Sequence, residues 1–334
     1  MTILVTGGAG YIGSIVVEQL LQHGQKVIVV DNLQEGNRAA VVDEAIFYEG
    51  DFGSRELLES LFEKHRIEAV VHFAAETTIE FSMTDPAKYF LNNVVNGITL
   101  LEVMRKYECQ RMIFSSTAAT FGEPAYTPID ESHPQFPINA YGESKLMFER
   151  VLDWYHRAYG LKYNLFRYFN AAGASAKLGE DHQHESHLIP VIIHSVLEQS
   201  RHGNGKPLRI FGNDYATQDG TCVRDYIHVI DLAAAHILAL ANLDRKPTGK
   251  YNLGNGQGFT NLEVVRMVEQ VSGLTVDYEF APRRVGDPAV LIASSKLAKA
   301  ELGWKPQFAD LESIIRSAWE WHQKHPKGYD NDKR

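Results

Sequence analysis

The sequence predicts an α/β fold: a doubly wound parallel sheet with a smaller C-terminal lobe interleaved into it. Three observations support this. In the first half, short continuous β-branched runs alternate with helix-like segments, as expected of strands covered on both faces. A glycine-rich turn joins the first run to the first helix. After about Arg167 the rhythm changes, and Gly and His accumulate between Gly173 and His187.

In chain order, Ile3-Leu4-Val5 is the first strand, and a helix is expected from about Tyr11 to His23. Strands follow at Val27-Ile28-Val29-Val30, Ile46-Phe47-Tyr48, Ala69-Val70-Val71-His72-Phe73 and Arg111-Met112-Ile113-Phe114. A helix-like stretch from Pro190 to Gln199 leads into 203–207. The run from Thr221 to Val229 and the apolar helix after Asp231 read as a return to the sheet. The expected division is one domain over 1–170 with a returning segment at about 221–245, and a lobe formed by 171–220 and 246–334.

The composition, 44% hydrophobic and 22% charged, is that of an ordinary globular chain. A net charge of −9 argues against general nucleic-acid binding, which calls for a basic surface. No apolar run approaches the ~18–20 residues of a membrane-spanning helix. The N-terminus lacks the charged start and apolar stretch of a signal peptide. Cys109 and Cys222 stand far apart without metal-type spacing, so no disulfide framework is expected. The expected setting is the cytoplasm.

Gly7, Gly10 and Gly13 form a GxxGxxG turn between strand and helix, a spacing variant of the Rossmann dinucleotide fingerprint. Glycines there permit a tight turn and close approach of a pyrophosphate, and the helix start with Tyr11 and Ile12 offers oriented N–H groups. Such glycine patterns are weak when isolated. Here the strand–turn–helix context fits, and Asp31 ends the next strand, beside Asn32. A carboxylate at that place accepts from both ribose hydroxyls and repels a 2′-phosphate, which favours NAD over NADP. Asp51 and Phe52 follow the third strand and fit an adenine pocket, although most such aspartates only form turns. Phe73 and Ala74 end the fourth strand, at the edge where ligands of such sheets bind.

Tyr141 and Lys145 are spaced i and i+4, so on a helix they share one face. An ammonium beside a phenol favours phenolate and is expected to bring the Tyr141 pKa down toward neutrality, suiting it to general acid–base work. Thr117 closes the fifth strand, and its hydroxyl can bond the substrate oxygen whose proton Tyr141 handles. The bland alternative for that hydroxyl-rich stretch is a polar strand end satisfying its own backbone.

Together these residues resemble the extended short-chain dehydrogenase/reductase family, in which the glycine turn, the Ser/Thr and the YxxxK recur in this order. Within it, the whole chain is similar to the UDP-galactose 4-epimerases. The match runs through Leu4–Ser14, Asp31–Leu33, Asn92–Val94, Arg167–Asn170, Asp219–Val229, Tyr251–Gly256 and Arg283–Pro288. The resemblance implies that Asn93, Tyr168 and Phe169 help hold NAD. It also implies that Asn170 and the amides around His187 and Leu188 meet UDP, with Phe211 beside the uracil. Arg224, Arg284 and Asp287 would then hold pyrophosphate and ribose; two guanidiniums suit a dianionic pyrophosphate.

The implied chemistry is reversible interconversion of UDP-galactose and UDP-glucose through a 4-keto intermediate, as in galactose metabolism, by an enzyme that relatives commonly build as a homodimer. Leu291 falls where the family restricts the sugar pocket, between the large aromatic that selects plain hexoses and the small residue that admits N-acetylated ones. UDP-N-acetylhexosamine, UDP-pentose and UDP-uronate remain alternative substrates. The chain departs from relatives at Thr77, where some carry a lysine, at His187, where some carry asparagine, and at Arg209. Ala118 and Ala119 occupy the place of the Asp-Glu pair that a 4,6-dehydratase needs. A non-catalytic NAD-sensing module has no need of Thr117, Tyr141 and Lys145 together. The run Glu180-Asp-His-Gln-His-Glu-Ser-His187 invites a metal reading, but the chemistry needs no Lewis acid, and no metal is expected.

Overall fold

The computed structural model describes residues 1–202, 206–284 and 287–329. Part of the expected connector at 203–207, the Val285-Gly286 centre of the Arg283–Pro288 motif and residues 330–334 lie outside the described residues.

Strands β1 (Thr2–Thr6), β2 (Lys26–Asp31), β3 (Ile46–Glu49), β4 (Ala69–His72), β5 (Arg111–Thr117) and β6 (Lys162–Tyr168) carry the first half of the chain. Between them lie helices α1 (Tyr11–Gln22), α2 (Arg55–Lys64), α3 (Ile79–Thr84), α4 (Pro86–Phe90), α5 (Gly97–Lys106) and α6 (Ala140–Tyr159), with a π-turn at Leu91–Asn96. The second half adds β7 (Asn170–Ala172), α7 (Leu188–His202), β8 (Leu208–Phe211), β9 (Val223–His228), α8 (Val229–Asn242) and β10 (Thr248–Leu253). It continues with β11 (Gly258–Thr260), α9 (Asn261–Ser272), β12 (Tyr278–Ala281), β13 (Val290–Leu291), α10 (Lys296–Leu302) and α11 (Leu311–Lys324).

The main sheet has seven strands in the order β10-β6-β5-β4-β1-β2-β3, and every neighbouring pair is parallel. Successive residues of a strand point to opposite faces, so continuous apolar runs feed two cores. Ile3, Val5, Val27 and Val29 join one cluster with α1 and α8 residues such as Ile15 and Leu232. Leu4, Ile28, Val30 and Met112 join the other, with α2, α5 and α6 residues such as Leu58, Leu101 and Leu152. A third core of Ile189, Ile193, Val265, Val268, Ile314 and Ile315 lies between α7, α9 and α11 and forms the lobe.

One expectation differs in detail. The 221–245 segment rejoins the main body through α8, whereas β9 pairs with β7, β11 and β13 in a separate small sheet. The seventh main-sheet strand is β10, inside the range expected for the lobe. β10 takes the edge beside β6 with Tyr251, Asn252 and Leu253 fully buried, while β9, with Asp225 equally buried, is paired by β7, β11 and β13.

The chain winds outward from β1 through β2 to β3, then returns to β4 on the other side of β1. The switch point therefore lies at the carboxyl ends of β1 and β4, where such sheets open a crevice.

Candidate active site

The glycine turn sits at this switch point, and sterics dictate its sequence. Gly7 has φ +73°, and a Cβ there would lie 2.5 Å from the Ala74 amide nitrogen beyond β4. A Cβ on Gly13 would lie 2.1 Å from the Gly7 carbonyl oxygen, so the first turn of α1 packs directly on the loop. Gly10 is the N-cap of α1, and no side chain caps that end. The phenol of Tyr11 donates to the Gly173 carbonyl at 2.6 Å, tying the turn to the second half of the chain.

Asp31 is buried at the end of β2. Its carboxylate accepts from the amides of Ala9 and Leu33, both at 2.9 Å, so it braces the glycine turn from the side. Burial raises its pKa against the pull of those two amides. Asn32 accepts from Gln34 and shapes the following loop. Asp51 is exposed, and its carboxylate accepts from the Gly53 amide at 2.6 Å, so within the protein it is a turn former. Phe52 is buried against the ring of His72. The amides of Phe73 and Ala74 both donate to the Thr6 carbonyl, which places them beside the turn. The Asn93 amide group is taken up by the Glu76 backbone and the Ser144 hydroxyl, linking the loop after β4 to α6. The Tyr168 hydroxyl bonds His236 at 2.5 Å, so the side chain is spoken for and Phe169 continues the strand edge beside it.

Helix α6 begins behind an Asn139 cap. It presents Tyr141, Lys145 and Glu149 on one face, each a turn after the last. Three consecutive residues of β5 meet them. Thr117 lies by the Tyr141 phenol and favours its ionised form, and its Oγ1 accepts from the Ala119 amide. The Lys145 ammonium donates to the Ser115 carbonyl at 2.9 Å and lies over the Phe114 ring. The Ser116 hydroxyl donates to Glu149 at 2.5 Å. Glu149 also takes a two-pronged ion pair from Arg167, at 3.0 and 2.7 Å, with both side chains nearly fully buried.

The electrostatics correct one expectation. Burial raises the Tyr141 pKa, with Thr117 pulling the other way, and Lys145 is not among the groups that move it. Burial instead pushes Lys145 down to about 7, against the attraction of Glu149. The i, i+4 spacing gives the shared face but not the depth at which the pair sits, and depth decides the shift. Glu149, Arg167 and Ser116 were given no role from sequence. The signal available was a third residue, eight after Tyr141, on the same helical face.

On the lobe side, Arg224 pairs with Asp287 at 2.7 Å and donates to the Val223 and Pro288 carbonyls. Arg284 stacks over Phe211 at 4.0 Å, and Arg209 reaches the same ring at 5.4 Å. Leu291 is registered opposite Arg224 on β13. The Asn170 side chain donates to the Asp225 carbonyl, which anchors β7 on β9. His187 and Leu188 stand at the start of α7. The structure thus brings Phe211 with Arg284, and Arg224 with Asp287 and Leu291. Thr77 lies in the loop before α3, where its neighbour Glu76 pairs with Lys88 at 2.9 Å.

Residues 3–254 match the NAD dependent epimerase/dehydratase family. The chain is 49% identical to a UDP-glucose 4-epimerase of Halalkalibacterium halodurans, over 100% of this chain and 99% of that one. It is 51% identical to a UDP-glucose 4-epimerase of Streptococcus mutans, over 99% of both. Among solved structures, the UDP-glucose 4-epimerase of Bifidobacterium longum in complex with NAD+ and UDP superposes with a TM-score of 0.92 at 36% identity, over 98% of this chain and 100% of that one. The chain belongs to the NAD dependent epimerase/dehydratase family and, within it, to the UDP-glucose 4-epimerases.

Proposed function

We propose that the protein interconverts UDP-galactose and UDP-glucose by inverting C4 of the hexose, and that Thr117, Tyr141 and Lys145 carry the chemistry. One observation supports these roles above the others: the α6 face of Tyr141 and Lys145 seated on the last residues of β5, at the edge where the glycine turn opens.

The residues around the turn fit NAD. The cradle between Gly7 and Ala74 is one that a Cβ would fill, and the start of α1 is left without a side-chain cap, as a pyrophosphate site requires. Gly7, Gly10, Tyr11, Ile12 and Gly13 would hold the pyrophosphate, Asp31 and Asn32 the adenosine ribose, and Asp51 and Phe52 the adenine. Phe73, Ala74, Asn93, Tyr168 and Phe169 would line the rest. NAD, when bound, would supply the acceptor for the C4 hydride.

Tyr141 takes the proton of the 4-hydroxyl, and Thr117 holds the same oxygen. Lys145 is fixed by the Ser115 carbonyl one turn along the same helical face, and Thr117 is the group that pulls the phenol toward its ionised form against burial. Arg224, Arg284 and Asp287 hold the diphosphate and ribose, Phe211 faces the uracil, and Asn170, His187 and Leu188 meet the UDP. Anchored there, UDP stays put while the 4-keto sugar turns over, and Tyr141 returns the proton. In this reading the nucleotide-binding sheet and the lobe carrying the arginines are the two working units of the chain.

Leu291, partly buried and opposite Arg224, favours plain hexoses. Equal rates on UDP-N-acetylgalactosamine and UDP-galactose would contradict that preference. We further place the enzyme in the cytoplasm as a homodimer. In support, both cysteines are free and buried, and no helix among the described residues is long and apolar enough to cross a membrane. Leu91, Val95, Met147 and Trp154 expose apolar surface on the π-turn and α6, an apolar strip that pairing would cover. Light scattering at the mass of a single chain would refute the dimer.

Replacing Tyr141 with Phe tests the catalytic assignment. We expect kcat to fall about 10²–10⁴-fold, the range of a lost general acid–base, with bound NAD unchanged. Turnover within a few-fold of the parent would remove Tyr141 from the mechanism.

A further inference from the structure

The side chain of His187, a residue whose backbone amide is assigned to the UDP, joins three others: one donor atom from each of Glu180, His182, Glu185 and His187 lies within 4.8 Å of the other three. We infer that these four residues form a binding site for one divalent transition-metal ion, with zinc as the best fit, and that the ion staples the loop before α7 against the glycine turn. The run from Glu180 to His187 invites a metal reading that the proposed chemistry, needing no Lewis acid, does not call for; the geometry supplies a structural reason instead.

Both imidazoles aim Nδ1 at the same two carboxylates. His182 lies 3.3 Å from Glu180 Oε1 and 3.3 Å from Glu185 Oε2, and His187 lies 2.9 Å from Glu180 Oε1 and 3.0 Å from Glu185 Oε1. A tetrahedral ion with arms of about 2.0 Å sets its ligands about 3.3 Å apart, so most of these separations already suit one. The longest, up to 4.8 Å, closes by a side-chain rotation. Glu185 Oε1, the oxygen 3.0 Å from His187, also accepts from the amides of Ser186 and His187 at 2.7 Å, which orients the carboxylate with Oε2 3.3 Å from His182.

The competing arrangement is a purely ionic one, with two imidazolium rings against two carboxylates. Each ring there faces both carboxylates, so attraction to them outweighs the repulsion between rings 5.3 Å apart, in a cluster where Glu180 is buried. A single dication with neutral imidazoles carries the same total charge, so zinc competes with two protons for these four side chains. Two nitrogens and two oxygens suit zinc; calcium and magnesium take oxygen ligands. The exposed side of His187 provides the entry path.

The position gives the ion its role. His182 packs edge-on to Tyr11 of the glycine turn at 6.3 Å, and His187 directly precedes α7. With all four positions filled by protein, the site is closed and structural, and it does not act on substrate.

The test uses the full-length protein, stripped by a chelator and titrated with zinc against a chromophoric competitor. We expect one equivalent per chain, at least tenfold weaker binding in His182→Gln, and no specific uptake in His182→Gln/Glu185→Gln. Zinc should also raise the Tm of the parent and not of the double variant. Uptake by the parent no greater than by the double variant would overturn the proposal and leave an ion-pair network. Should the variants fail to fold, cobalt added to the parent decides: intense tetrahedral absorption supports the site, and a weak octahedral spectrum refutes it.

Discussion

The wall of the cleft built on β5 and α6 and the wall built on the C-terminal lobe hold their polar groups in different ways. On the first, Thr117, Ser116 and Ser115 are neighbours in one strand, and Tyr141, Lys145 and Glu149 are a turn apart on one helix. Regular geometry therefore fixes each contact, and the buried Glu149–Arg167 pair locks helix to sheet. On the second wall, Arg224, Arg284, Phe211 and Asp287 come from separate strands and loops. They meet through stacking of Arg284 on Phe211 and a partly exposed ion pair between Arg224 and Asp287. In the proposed function the difference would suit the tasks: atoms that exchange a proton need sub-ångström placement, whereas a flexible diphosphate needs charge in roughly the right place.

That contrast can be broken by mutation. The largest effect is expected at Arg167→Ala, which leaves the Glu149 carboxylate buried and unpaired. Folding stability should fall by about 3–5 kcal/mol, the cost of breaking a buried ion pair, read from chemical denaturation. A loss below about 1 kcal/mol would mean that the pair does not lock the wall. Removing Arg224 or Arg284 with alanine should act on the other wall alone. We expect KM for UDP-galactose to rise about tenfold or more, the worth of one charge-assisted hydrogen bond, with little change in Tm. A large Tm loss with unchanged KM would reverse their role.

The smallest effect concerns pH. Burial holds Lys145 near 7, well below its ordinary 10.5. Between those values the folded chain binds one proton fewer than the unfolded chain. This residue's contribution to stability therefore rises as pH climbs from about 7 to about 10.5, and is lost as pH falls back through that window. Lys145→Met should flatten that part of the Tm–pH curve. In Glu149→Gln the attraction that lifts Lys145 is gone, so its titration should move to lower pH, carrying the alkaline limb of the kcat profile with it. An alkaline limb that stays put would separate Glu149 from the lysine.

The same contrast explains what could be read from the sequence. The glycine turn, Asp31 and the face shared by Tyr141 and Lys145 follow from local periodicity, so strand, turn and helix were legible together with their dinucleotide character. The lobe residues carry no local pattern; Arg284 on its own reads as one of a surface Arg-Arg pair, and only resemblance to relatives gave it a task. Two features escaped both routes. The depth of Lys145 depends on how α6 seats on β5, which spacing does not encode. The exchange of β9 for β10 in the main sheet depends on β7, β11 and β13 being there to receive β9, which no local pattern in 221–229 encodes. Glu149 had the periodicity to be found, but an acid on a helix reads by default as solvated.

The central claim is that one chain holds its own NAD and inverts C4 of a UDP-hexose without net redox change. Purified protein incubated with UDP-galactose and no added nucleotide tests it directly. The account predicts UDP-glucose approaching the same equilibrium ratio from either sugar. No conversion, even after NAD is supplied, would contradict it.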